Sequence, residues 1–235
     1  MHNMNSPAAL DEAPSQFRLI TTLLLSVLLA AFSTPLLEVL RNSLPLESQS
    51  GWNAVTDLRV NAIYAGLALL LCAITWRSSG LGVGTARRWK RYGLSIAFAW
   101  IMPPLLVLSL YPALTYTPFK MYQWPIGWWL VGSVAQELLF GGFIYGRMVS
   151  IFGTVPEGFK GSFSVPLLVT AFLYALNHWP NIQTTEHGMT TSFVEFQFLY
   201  AFLGFAWMLN VRRWTDSIWL GILNHILVNW LATVI

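Results

Sequence analysis

Residues 126–149 read IGWWLVGSVAQELLFGGFIYGRMV, and Glu137 is the only charged side chain in them before Arg147. A helix rises about 1.5 Å per residue, so this stretch is long enough to span a bilayer, which needs roughly 20 mostly apolar residues. It therefore predicts a transmembrane helix with a carboxylate near mid-membrane. A lone carboxylate there costs at least ~2.5 kcal/mol, so Glu137 points to function; the structural alternative is a protonated Glu satisfied by a neighbouring helix.

Working outward, similar apolar windows occur at Phe17–Leu40, Leu58–Trp76, Tyr92–Tyr111 (bent or interrupted near Pro103 and Pro104), Phe163–Trp179, Phe193–Val211 and Ser217–Ile235. The expected fold is all-α, a polytopic transmembrane helix bundle of about seven spans, six to eight allowing for the Pro-rich stretch after Pro103. Residues 1–16, polar and carrying Asp11 and Glu12, are expected to be a disordered tail ahead of a single domain over 17–235.

Composition agrees with this reading. The chain is 55% hydrophobic and 10% charged, whereas a soluble domain carries about 25% charged residues. With so few charges, the net +3 describes loops flanking spans rather than a nucleic-acid surface. Placing the N-terminus inside leaves only Arg41, Arg59 and Lys120 of the thirteen Lys and Arg on the outside. That bias predicts an inside N-terminus and an outside C-terminus, in what is expected to be a bacterial inner (plasma) membrane. Cys72 is the only cysteine, so no intrachain disulfide or cysteine metal cluster forms, and its apolar neighbours predict a buried structural thiol.

Two histidines join Glu137 in apolar surroundings: His178 in AFLYALNHWP and His225 in WLGILNHILVNW. Either alone reads as a satisfied core residue. One Glu and two His on three helices read as a site. His225 and Asn229 are spaced i, i+4 and share one helix face. A water-shielded carboxylate can take a proton from water, a histidine can orient that water or protonate a leaving group, and the Asn229 amide can donate to a developing oxyanion. These are the parts for hydrolysing an acyl bond without a Ser or Cys nucleophile. Glu137, His178 and His225 also make a plausible zinc set, so a divalent metal stays open as a cofactor.

The order of motifs resembles the CAAX-protease and bacteriocin-processing family of intramembrane proteases. That family carries Glu-Glu-x-x-x-Arg on one helix, aromatic-x-x-x-His on the next and His-x-x-x-Asn on a later one. Here Gln136-Glu137-Leu-Leu-Phe-Gly141 stands in the first place, Tyr174-Ala-Leu-Asn-His178 in the second and His225-Ile-Leu-Val-Asn229 in the third, within a core over 126–232. Two positions depart: Gln136 replaces the Glu usually taken to activate water, and Gly141 replaces the Arg. Gln is neutral and cannot act as a general base, so the role would pass to Glu137, be met differently, or be lost. Adjacent helical residues diverge by about 100°, which predicts that Gln136 and Glu137 do not share one cavity equally.

The resemblance implies an intramembrane endopeptidase acting through a Glu/His-activated water, with catalytic positions Glu137, His178, His225, Asn229 and Gln136. Its implied partners are the lipid bilayer and peptides or proteins bearing hydrophobic or lipidated tails. The competing readings are a catalytically inactive membrane scaffold or binding protein, favoured by Gln136, and a proton-coupled transporter using the same Glu and His.

Overall fold

An apolar helix with no polar face buries itself on all sides, and residues 135–146 do so at the centre of the fold. The computed structural model describes residues 20–29, 54–75, 80–82, 86–114, 127–153, 159–178, 180–185, 188–193 and 195–234. The helices are α1 (20–29), α2 (Ala54–Ile74), α3 (Ala86–Leu114), the central α4 (127–152), α5 (Val165–His178), α6 (Glu195–Thr215) and α7 (Trp219–Val234). Between α5 and α6 lies an antiparallel hairpin of β1 (Pro180–Thr185) and β2 (Gly188–Phe193), in register from Pro180 opposite Phe193 to Thr185 opposite Gly188.

Helix α4 is continuous but not uniform. Its turns widen to i→i+5 bonding over Gly127–Gly132 and Glu137–Ile144, a departure from α geometry that is often found at functional sites. Gly153, at φ +83°, ends it. Every residue of Glu137–Ile144 is buried, against α2, α5 and α7. Phe140 sits at the core's centre, edge-on to both Tyr174 and Phe205. Cys72 is buried as expected and donates its thiol to Leu138 O at 3.0 Å.

At the corner between α6 and α7, Asp216 takes a left-handed φ of 59°. The Thr215 hydroxyl donates to Val211 O at 2.8 Å, and Ser217 N donates back to that hydroxyl at 3.3 Å. Ile218 N donates to Gly80 O, and the Trp219 indole to Leu81 O. These bonds fix where α7, and so His225, begins.

The helical bundle is present, but its expected relation to a membrane is not. Among the described residues, no helix is long and apolar enough to cross one. Helices α5 and α7 run for 14 and 16 residues, short of the roughly 20 required. Helix α6 carries Glu195, Asn210, Arg212 and Arg213, α3 opens on Arg87, Arg88, Lys90 and Arg91, and the uninterrupted apolar stretch of α2 begins only after Asn61. The expectation of a polytopic transmembrane bundle is corrected accordingly. With it go the intramembrane setting of the activity, the bilayer as a partner, the inner-membrane location and the sidedness drawn from the Lys/Arg bias.

Helix α3 runs without interruption through Pro103 and Pro104. The connection after His178 contains strands, set by the β-branched Thr and Ile residues of 182–191,. The predicted tail at 1–16 lies outside the described residues. The distribution of polarity is the reverse of a typical water-facing bundle: Leu67, Leu94 and Phe98 are exposed, whereas Ser133, Gln136, Glu137, Thr170 and Asn224 are buried. Of these, Gln136 and Glu137 bond to groups on α5 and α7, whereas Asn224 donates to Trp100 O on α3.

Candidate active site

Helix α4 supplies Gln136 and Glu137, α5 supplies Tyr174 and His178, and α7 supplies His225 and Asn229. Glu137 is buried to 3% exposure, and its Oε1 lies 3.2 Å from His225 Nδ1. A carboxylate only accepts, so Nδ1 carries the imidazole proton and Nε2 presents its lone pair. That Nε2 is 3.3 Å from the Tyr174 hydroxyl, which also donates to Gln136 Oε1 at 3.3 Å. One hydroxyl proton cannot serve both acceptors, so Tyr174 can turn from Nε2 to Gln136. Burial, and next the charge of Glu137, push the Tyr174 phenol well above its ordinary range, so it remains a donor.

Gln136 and Glu137 therefore reach one cluster although they are consecutive. They do so by different routes: Glu137 meets His225 Nδ1 directly, and Gln136 is joined through the Tyr174 hydroxyl to the far nitrogen of the same ring.

His178 lies beside the same group. Its ring packs on Tyr174, with centroids 4.2 Å apart, and its Nδ1 is 3.0 Å from Tyr174 O. A backbone carbonyl only accepts, so Nδ1–H donates and Nε2 is again the basic nitrogen. Burial, helped by nearby His225 and opposed by the Tyr174 carbonyl, pushes His178 down to about 4. The unfolded chain then binds a proton near 6.5 that the folded chain refuses until about 4,. The stability this group contributes is complete above 6.5 and is lost as pH falls through that window. Denaturant unfolding should show stability declining from pH 7 to 4, with a shallower decline in His178→Gln. An unchanged slope in that variant would contradict the assignment.

Asn229 Nδ2 donates to Ser133 Oγ on α4 at 2.9 Å. Ser133 and the Tyr174 hydroxyl were not legible as partners: Ser133 belongs to no short motif, and Tyr174 entered only as the aromatic that precedes His178. Gly141, where the resemblance expects Arg, lies against Glu137 Oε2, as does Gly221 on α7. Nothing in the sequence links those two glycines.

Two candidate metal ligands, Glu137 and His225, adjoin each other, while His178 Nδ1 is committed to a carbonyl. Among the described residues, no group of three or more His, Cys, Asp and Glu could hold a metal ion.

What these elements define is a helical fold with a buried acid–imidazole–phenol cluster, the equipment of a hydrolase. Residues 118–231, a little under half of the chain, match the model of the family described as Type II CAAX prenyl endopeptidase Rce1-like. The match supports a family-level assignment, and together with the buried cluster it supports a hydrolase-type active site at that level. No curated protein and no solved structure matches the chain.

Proposed function

We propose that the protein hydrolyses a peptide bond with a water activated by the Glu137–His225 pair. The observation that carries this is the buried 3.2 Å contact from His225 Nδ1 to Glu137 Oε1, which turns the basic Nε2 toward the remaining polar groups. Glu137 holds the imidazole in one tautomer and stabilises the imidazolium that forms, as the carboxylate does in acid–His–nucleophile arrangements.

The Tyr174 hydroxyl swings to Gln136 Oε1, and Nε2 takes a proton from water as the water oxygen attacks the carbonyl carbon. The second N–H of Asn229, whose first is held by Ser133, faces the oxyanion. As the C–N bond breaks, Nε2–H passes its proton to the leaving amine, giving one acid and one amine. His178, uncharged at neutral pH, accepts from the water through Nε2 and orients it. Gln136 acts here as a hydrogen-bond acceptor and needs no charge.

The description of the matching family makes an internally quenched peptide ending in a prenylated cysteine tetrapeptide the probe to use. The purified protein should release fluorescence with a single new amino terminus. Absence of cleavage across a panel of prenylated and unmodified tails, with the protein folded, would support the inactive alternative that Gln136 suggests, above all if changing His178 and His225 also left cellular function intact.

A further inference from the structure

Glu137 Oε1 meets His225, but Oε2 has a different environment. A Cβ built on Gly141 would fall 2.9 Å from Oε2, and one on Gly221 would fall 3.0 Å from it and 3.5 Å from Cδ. At Gly141 the contact is closer than real Cβ atoms essentially ever make, so the carboxylate must shift; at Gly221 it is tighter than nine in ten such contacts, so the carboxylate must give by a few tenths of an ångström. The placement repeats on two helices. Gly141 lies four residues after Glu137 on α4, and Gly221 four residues before His225 on α7, so each glycine shares a face with one member of the pair,. Neither has a positive φ, so backbone conformation is not what calls for glycine there. In a helix interior Gly is less favourable than Ala, which leaves the space itself as the reason.

We infer that Gly141 and Gly221 are positioning residues: together they form a socket, open only while both lack a side chain, that seats the Glu137 carboxylate against His225 Nδ1. The socket rests on the hydrolytic reading above, because its purpose is to keep His225 in the Nδ1–H tautomer. It acts on Oε2, the oxygen that does not meet His225. A methyl added at either glycine pushes the carboxylate from its seat against the imidazole.

The test uses the full chain with Gly141→Ala, Gly221→Ala and the control Gly204→Ala, whose Cβ would meet nothing within 4 Å. Cleavage of the quenched prenyl peptide gives kcat and KM. NMR of isotope-labelled histidine nitrogens, with His225 assigned by its loss in His225→Asn, gives the tautomer independently of activity. Both socket variants should stay folded, with a Tm at or below that of the parent chain because the buried carboxylate loses its partner, lower kcat about a hundredfold with KM little changed, and shift the His225 nitrogens away from the Nδ1–H pattern. Gly204→Ala should change none of these. An unaltered His225 spectrum in both socket variants would overturn the socket, whatever their activity. So would full turnover in both when Glu137→Gln is inactive. A shifted spectrum in a protein that cleaves nothing would leave the socket standing and remove the hydrolytic reading instead.

Discussion

Replacing Glu137 with Gln should lower kcat by about 10²–10⁴-fold, the usual contribution of a positioned acid–base group, while the protein stays folded. Gln has the shape of Glu, and its carbonyl can accept from His225 Nδ1 at the same 3.2 Å position. It can equally present its amide N–H there, which reverses the imidazole and puts the proton on Nε2. What is lost is the negative charge that fixes the tautomer and stabilises the imidazolium. The buried carboxylate is replaced by a neutral amide, so stability should hold or rise, and a change of about 1 kcal/mol would move the Tm by only about 2–4 °C. Single-turnover cleavage alongside thermal unfolding measures both effects. Full activity in Glu137→Gln would show that the carboxylate is structural.

The second large effect is at His225, and two substitutions separate its two duties. His225→Asn can place an amide N–H near the Nδ1 position and so keep Glu137 bonded, but it has no basic nitrogen where Nε2 stood. It should fold and should lose activity by about 10²–10⁴-fold. His225→Ala removes both. With the pair at 10% and 4% side-chain exposure, Glu137 is left in the interior with no imidazole beside it, a change that costs about 3–5 kcal/mol. That variant should therefore unfold at distinctly lower temperature. Thermal unfolding curves for the two variants beside the parent chain distinguish these outcomes. Equal stability of His225→Ala and the parent chain would mean that the pair is not coupled in solution.

Much of this arrangement was legible in the residue pattern. The windows at Ile126–Val149, Phe163–Trp179, Phe193–Val211 and Ser217–Ile235 fall on α4 to α7 with shifts of a few residues, because apolar length and Gly or Pro punctuation register directly in composition. Glu137 and His225 stood out because charge and imidazole are rare in such surroundings, and the structure brings them together. What failed was the inference from apolarity to environment. Hydropathy reports how a residue partitions; helix length and polar interruptions decide whether an element can span, and among the described residues none does.

Three features were hidden for other reasons. The hairpin from Pro180 to Phe193 depends on cross-strand pairing, which six-residue runs do not announce. The bridging by Tyr174 depends on a hydroxyl direction set by packing on Phe205, whose ring stacks on it at 3.9 Å. The glycines against Glu137 belong to two helices, 80 positions apart. Their meaning lies in a shared empty volume that neither position carries alone.

The central claim is that Glu137 and His225 work as a single unit, and a double-mutant cycle on kcat tests it most directly. Glu137→Gln, His225→Asn and the combined variant are compared with the parent chain on the prenyl-peptide probe. Residues that act together are strongly non-additive, so the combined variant should be no slower than the slower single one. If the two losses multiply instead, the carboxylate and the imidazole act separately, and the account given for this site is wrong.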